Sequence, residues 1–449
     1  MDASLIDSRI YGHNWATPES QSMFSERSRL RRWLAVVTAL AGAQADLGII
    51  PASSAAAIAA IDAEQLDIDA IAAGTRQTSH STLGLIHVLQ DMLPAEAREH
   101  VYHGATVQDV SDTAMSLEVR ELTTAVGRDL WAIEGALVDL AERHRTTPML
   151  GRTHGQPGAP ISFGYKVATW ADEVGRSLER LRDGGRRWHV GQLAGAVGAM
   201  AFHGADGPAL RERFCAELGL DAPLISWTTT RDRLAEFAAT LAIAATTLQR
   251  IANEVYNLQR GEIGELAEAT SPSTIGSITM PHKRNPENSE QIIVLGRIIR
   301  ALAATVTDTM AGEHERDGAT WKGEWLVVPQ LGHHVLASLS LSAALVDGLI
   351  VNERRMRDNL DRYGFADSQE LLRRLSTRLG KHRAQDELGR AYRTAAKTGA
   401  PIDELLAAIA TEDELDGLSE PALGSAPTMV DEVVAAVRAR RANEDPSWT

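Results

Sequence analysis

The stretch LAEFAATLAIAATTLQRIANEVYNL, Leu234 to Leu258, decides the fold. Its apolar residues Leu234, Phe237, Leu241, Ala244, Leu248, Ile251, Val255 and Leu258 alternate spacings of three and four. That is the seam of a long helix packed along its whole length. Leu122, Val126, Leu130, Ile133, Leu137 and Leu140 form a second seam. A third starts near Glu287 and runs through Ile292, Leu295, Ile299, Leu302 and Val306. Helices this long need partners, so the expected fold is all-α, a long-helix bundle of a kind that often oligomerises. Strand signals are scarce; short alternating pieces such as that near Val190 predict small hairpins at most.

Outward from the seams, the expected organisation is three regions. Residues 1–110 hold shorter helices broken at Pro51 and Pro94, and residues 111–352 hold the bundle. Residues 353–449 hold shorter helices again, with turn signals at Gly364, Gly380 and Gly399 and a polar tail from Asn443. A chain of 449 residues exceeds one compact core, in keeping with this division. The formal charge of −15 argues against nucleic acid or an anionic membrane as the main partner, but not against a small anion held by local cations. The single cysteine, Cys215, allows no intrachain disulfide and reads as a packing residue. Neither a signal peptide nor a membrane span is visible, so a cytoplasmic protein is expected.

Three non-helical islands carry concentrated chemistry. HGATVQD, His103 to Asp109, precedes a long helix that Thr106 or Asp109 would cap. GRTHGQPGAP, Gly151 to Pro160, reads as a loop that ends that helix and presents His154 and Gln156. Thr270 to Glu290 begins small and polar, as a mobile lid does, and then holds Lys283, Arg284 and Asn285 between two prolines. No phosphate loop, dinucleotide fingerprint, zinc spacing or nucleophile elbow is present, so neither cofactor nor metal is expected. What remains is acid–base chemistry on an anionic substrate. Proton removal next to a carboxylate builds charge that cations and N–H groups must meet, while the leaving group takes a proton on the other side.

The three islands resemble the signature regions of the fumarase/aspartase superfamily, and the third resembles its pattern GSSxMPxKxNP at GSITMPHKRNP, Gly276 to Pro286. The resemblance implies three helical domains and a homotetramer with a 20-helix core, each active site being shared between subunits. It implies a catalytic loop at 270–286 in which Ser277 is the general base. His154 is then the general acid and Glu290 the carboxylate that orients it. Lys283 and Asn285 would hold a substrate carboxylate, with His103, Thr106, Gln108, Gln156, Met280 and His80 as further substrate contacts. Two positions depart from the pattern: Ile278 replaces the second loop serine, and Val107 the serine after Thr106. Within the superfamily, EHERDGATWKGEW, Glu313 to Trp325, lacks the phosphate-binding continuation of adenylosuccinate lyases. That stretch and SAPTMVDEVV resemble the cycloisomerase branch, whereas Tyr11 to Pro51 and the THGQ loop resemble adenylosuccinate lyases as much.

The expected reaction is β-elimination from a small substituted succinate to fumarate, with an amine or other nitrogen leaving group such as nitrite. The alternatives are a 3-carboxy-cis,cis-muconate cycloisomerase, an adenylosuccinate lyase and a non-enzymatic structural protein on the same scaffold. A small di- or tricarboxylate is the expected ligand.

Overall fold

A computed structural model describes residues 4–270, 275–362, 368–418 and 420–444. Gly364, part of the 270–286 loop and the end of the polar tail lie outside the described residues. The chain is all-α, as its seams require. Five long helices form the bundle: Val107–Arg143, Phe163–Trp188, Asp232–Leu258, Glu287–Asp308 and Gly318–Asp347. They are called first to fifth below. The three seams fall on the first, third and fourth, and their leucines, isoleucines and valines, apart from the half-buried Leu302 packed against it, share one buried cluster with Phe163, Trp170 and Trp188 of the second helix and Leu331 and Val335 of the fifth. Pro329 lies inside the fifth helix. A proline there removes an i→i−4 hydrogen bond, which hid the helix from a reading based on periodicity.

Two smaller apolar clusters flank the bundle. One joins the Glu26–Asp46 helix to Val110, Ala114 and Leu117 and to Leu193, Leu210, Phe214 and Cys215. Cys215 is buried, as expected of a packing residue. The other gathers Leu371, Leu375, Ala384, Leu388, Ala391 and Leu406. The helix Ala426–Asn443 returns to the bundle and lays Val430, Val434 and Val437 on its core.

The expected position of the hairpin is corrected. Val190 makes only one isolated parallel bridge, to Asp221. The hairpin is Pro148–Thr153 paired with Gln156–Ser162, in the stretch read from sequence as a loop. The first bundle helix stops earlier than that reading supposed, at Arg143. Gly151 and Pro160 looked like loop residues, but a register shift between Leu150 and Arg152 accommodates the irregular stretch.

The bundle sets the scale of the site. A 27-residue helix such as the third is roughly 40 Å long. The first island caps the start of the first helix, while the hairpin follows its far end. The third island lies between the end of the third helix and the start of the fourth, at the hairpin's end of the bundle: Glu265, close after the third helix, pairs with Arg152 of the hairpin. One chain therefore keeps islands two and three at one end and island one at the other.

Candidate active site

The first island is built into the fold. The Asp109 carboxylate accepts from the backbone N–H of Thr106 at 2.9 Å, of Ala194 at 2.7 Å and of Gly195 at 3.2 Å. It thus ties the helix start to the segment after the second helix. Burial pushes its carboxyl up to about 7 in spite of those three donors. Gln108 is fully buried and donates to the Thr228 carbonyl at 2.7 Å, leaving its own Oε1 without a partner. The Thr106 hydroxyl accepts from Arg316 at 2.9 Å. His103 turns its ring edge-on to Phe202, and its carbonyl accepts from Gln44. Gly104 follows at φ +72°; a Cβ there would meet Phe202 at 2.4 Å and His203 at 2.5 Å, so only glycine fits.

The residue that faces the island's polar groups is Tyr102, which sequence reasoning missed. Its backbone is left-handed, φ +61°, a costly conformation for a bulky residue. Its phenol is raised first by burial and then by the Asp109 carboxylate, against the lowering effect of Thr82, Arg316 and Thr106. Tyr102 thus brings the loop holding His80 and Thr82 to Thr106, Asp109 and Arg316. The ring Nδ1 of His80 is buried and has no hydrogen-bond partner. The preceding Ser79 also sits at positive φ, +55°.

The second island is the tip of the hairpin. His154 and Gly155 form its two-residue turn with φ +55° and +73°, both left-handed, as in a type I′ turn. Such turns prefer Asn-Gly; a histidine there is tolerated and aims an imidazole off the end of a rigid ribbon. His154 and Gln156 are exposed. Behind them, Arg152 makes a two-pronged bond to buried Glu265, which also accepts from Asn359 at 2.7 Å, so the base of the hairpin is fixed.

In the third island the described part, Ile275 to Glu290, is a loop folded on itself. The Ser277 hydroxyl accepts the backbone N–H of Met280 at 3.0 Å, and the Met280 carbonyl accepts from the Lys283 N–H at 2.9 Å. Asn285 donates to the Gly276 carbonyl at 2.9 Å and to Glu287 at 3.1 Å. A Cβ on Gly276 would lie 2.2 Å from the Lys283 carbonyl, so this closure also requires glycine. Glu268 anchors the following helix by accepting from Asn288 N, Ser289 N and Ser289 Oγ. Ile278 is 92% exposed; Met280, Lys283 and Glu290 are exposed as well. Among the described residues no hydrogen bond or ion pair joins His154 to Glu290 or to Ser277 within one chain, and no group of three or more His, Cys, Asp or Glu is placed to hold a metal ion. Nor is any helix among them long and apolar enough to cross a membrane.

This arrangement can remove a proton and bind an anion at one end of the bundle, and position a polar substrate at the other. Known proteins align along nearly the whole chain. The lyase family matches residues 13–300. An N-acetyl-S-(2-succino)cysteine lyase of Dickeya dadantii is 38% identical, over 97% of this chain and 98% of its own length. An adenylosuccinate lyase of Methanocaldococcus jannaschii is 34% identical, over 96% of each chain. The crystal structure of 3-carboxy-cis,cis-muconate lactonizing enzyme from Pseudomonas putida superposes with a TM-score of 0.88 at 31% identity, covering 96% of this chain and 99% of that one.

Proposed function

The chain belongs to the lyase family of the fumarase/aspartase superfamily, and on that premise we propose that it eliminates the C2 substituent of a substituted succinate to give fumarate. The C3–H bond breaks, its proton passes to Ser277, the C2=C3 bond forms, and the C2 substituent leaves with its electron pair. The observation that carries this reading is the Met280 N–H aimed at the Ser277 hydroxyl oxygen. A serine is a poor base at its ordinary pKa. An N–H donor already directed at its oxygen favours the alkoxide, and more so once water is excluded.

Lys283 and Asn285 are assigned to the substrate carboxylate where negative charge builds. His154 is the proton donor, directly or through a water, and Glu290 orients it. Thr106, Gln108, Gln156, Met280, His80 and His103 complete the pocket, with Tyr102 and Arg316 added to the sequence-derived set. Bundle ends roughly 40 Å apart cannot meet around one small dicarboxylate. Antiparallel packing of chains brings the first island of one copy to the hairpin and loop of others. We assign shared sites on that ground, and four copies on the family resemblance.

For the leaving group we move from the nitrogen expected of the sequence to sulfur, in the form of an N-acylated cysteine. Two relatives at 38% and 37% identity carry the name N-acetyl-S-(2-succino)cysteine lyase. The chemistry agrees: a thiolate, with a pKa of about 8.5, leaves with less help from an acid than an amine does. The apolar side chains Ile278 and Val107, where the family pattern has hydroxyls, suit a thioether better than an amine. A cycloisomerase acting on carboxymuconate is the second reading, favoured by the TM-score of 0.88.

The deciding experiment supplies the purified protein with N-acetylcysteine linked through sulfur to succinate. Fumarate absorbance and free thiol are expected to rise in equal amounts. If no substituted succinate is consumed while the absorbance of carboxymuconate falls, the second reading replaces the first.

A further inference from the structure

A cavity of about 390 Å³ lies beside the first island, between the helices Glu26–Asp46 and Ile68–Thr78 and the first and fifth bundle helices. That size suits a small organic molecule. Its walls are apolar where Trp33, Trp325, Leu30, Ile71 and Met115 line it. Its charged groups are almost all engaged with each other. Arg32 pairs with Glu118 and Glu121, and Arg29 with Glu26. Arg76, exposed at the rim, makes no ion pair among the described residues.

On the inner wall Glu118 is 93% buried. One carboxylate oxygen takes the Arg32 bond at 2.8 Å, while the other, Oε1, has no hydrogen-bond partner. Leaving a buried acceptor unpaired is costly, and a ligand that brings an N–H removes that cost. Burial pushes the Glu118 carboxyl up to about 7, as an incompletely satisfied acid should be.

The cavity reaches the first island and the His80 loop at two points. Ser111, on its wall, lies one helical turn beyond Val107 and donates to the Val107 carbonyl at 2.9 Å. Ser81, also on its wall, follows His80 directly. A molecule filling the cavity would therefore present one end to the first island.

We infer that this cavity receives the leaving group of the substrate, an acylated amino acid whose sulfur faces the first island, whose carboxylate meets Arg76 and whose amide N–H reaches Glu118. The inference rests on the elimination proposed above and gives that reaction its specificity pocket. It explains how one catalytic loop can serve a substrate with a bulky, charged substituent.

The test uses the full chain and two variants, Ala72→Phe, which fills the cavity from a partly buried wall position, and Arg76→Gln. By calorimetry the unaltered protein is expected to bind N-acetylcysteine. Ala72→Phe should weaken binding roughly tenfold or more, about the loss of one well-placed contact. Arg76→Gln should weaken it several-fold for the free carboxylate but not for the methyl ester. In kinetics, both variants should raise KM for the N-acetylcysteine-substituted succinate with kcat unchanged. Both should leave 2-methylthiosuccinate, whose leaving group is too small to fill the cavity, unaffected. Equal effects on the two substrates, or N-acetylcysteine binding that Ala72→Phe does not alter, would overturn the assignment. Binding that Ala72→Phe abolishes, in a protein that turns over no succinate, keeps the cavity as a site for acylated amino acids and removes the elimination instead.

Discussion

The two ends of the helix bundle handle polar groups in opposite ways. At the end that holds the first island, charge is buried and matched. Arg231 donates to Asp112 at 2.8 Å and to Glu324 at 2.8 Å, Trp321 Nε1 donates to Asp112 at 2.8 Å, and the Thr309 hydroxyl donates to Glu324 at 3.1 Å. At the other end His154, Gln156, Lys283 and Glu290 stand exposed, and Ser277 holds a single N–H. The Arg231 network is satisfied within the chain and so belongs to the fold, although Gln108 Oε1 and His80 Nδ1 beside it keep no partner. The second end leaves its groups free to meet a substrate or another copy of the chain.

The largest effect that tests this contrast is at the matched end. Arg231→Met leaves two acids buried without their cation and should cost about 3–5 kcal/mol of stability. Denaturant unfolding measures it, and a variant as stable as the parent would break the contrast. At the open end, Ser277→Ala should lower kcat by roughly a thousandfold, and His154→Asn by roughly a hundredfold, within the range for a lost base or acid. Neither should move the thermal midpoint appreciably; Asn suits the left-handed turn position at least as well as His. A large stability loss in either variant would mean that the open end belongs to the fold after all.

The smallest effect is a pH dependence at a third, purely structural point. His333 of the fifth helix bonds Ser20 at 2.9 Å and packs on Phe24, and burial lowers its ring to about 4 from an ordinary 6.5. The native state holds it neutral. Its stabilising contribution is therefore present above 6.5 and is lost as pH falls toward 4. Asp109 and Glu118, both raised to about 7, have the opposite sign: their contribution is present at low pH and is lost as pH rises through 7. Only a difference isolates the histidine. The gap in thermal midpoint between the native chain and His333→Gln should narrow as pH falls from 6.5 to about 4, and a constant gap would refute the assignment.

The seams at 122–140, 234–258 and 287–306 were legible because a helix repeats its apolar face in sequence whatever it packs against. The fifth helix was not, because Pro329 interrupts the local signal while the helix continues on both sides of it. The His154-Gly155 turn was legible in principle, since two residues between short extended runs signal a hairpin, yet Gly151 and Pro160 masked it. Asp109 was visible as a cap, but its bonds to Ala194 and Gly195 join residues far apart in the chain. Tyr102 carried no signal at all, because its direction follows from a backbone angle and from what packs above it.

The catalytic loop shows the same division. By itself, the sequence determined that the chain is a long-helix bundle and that Gly276 to Pro286 resembles a lyase loop, because residue types and short spacings are local properties. Tertiary structure alone decided that Gly276 closes against Lys283, that the Met280 N–H meets Ser277, and that the first island stands at the far end of the bundle from this loop. The first two are contacts within one loop whose backbone course residue types alone do not specify, and the third is a distance that exists only once the helices pack.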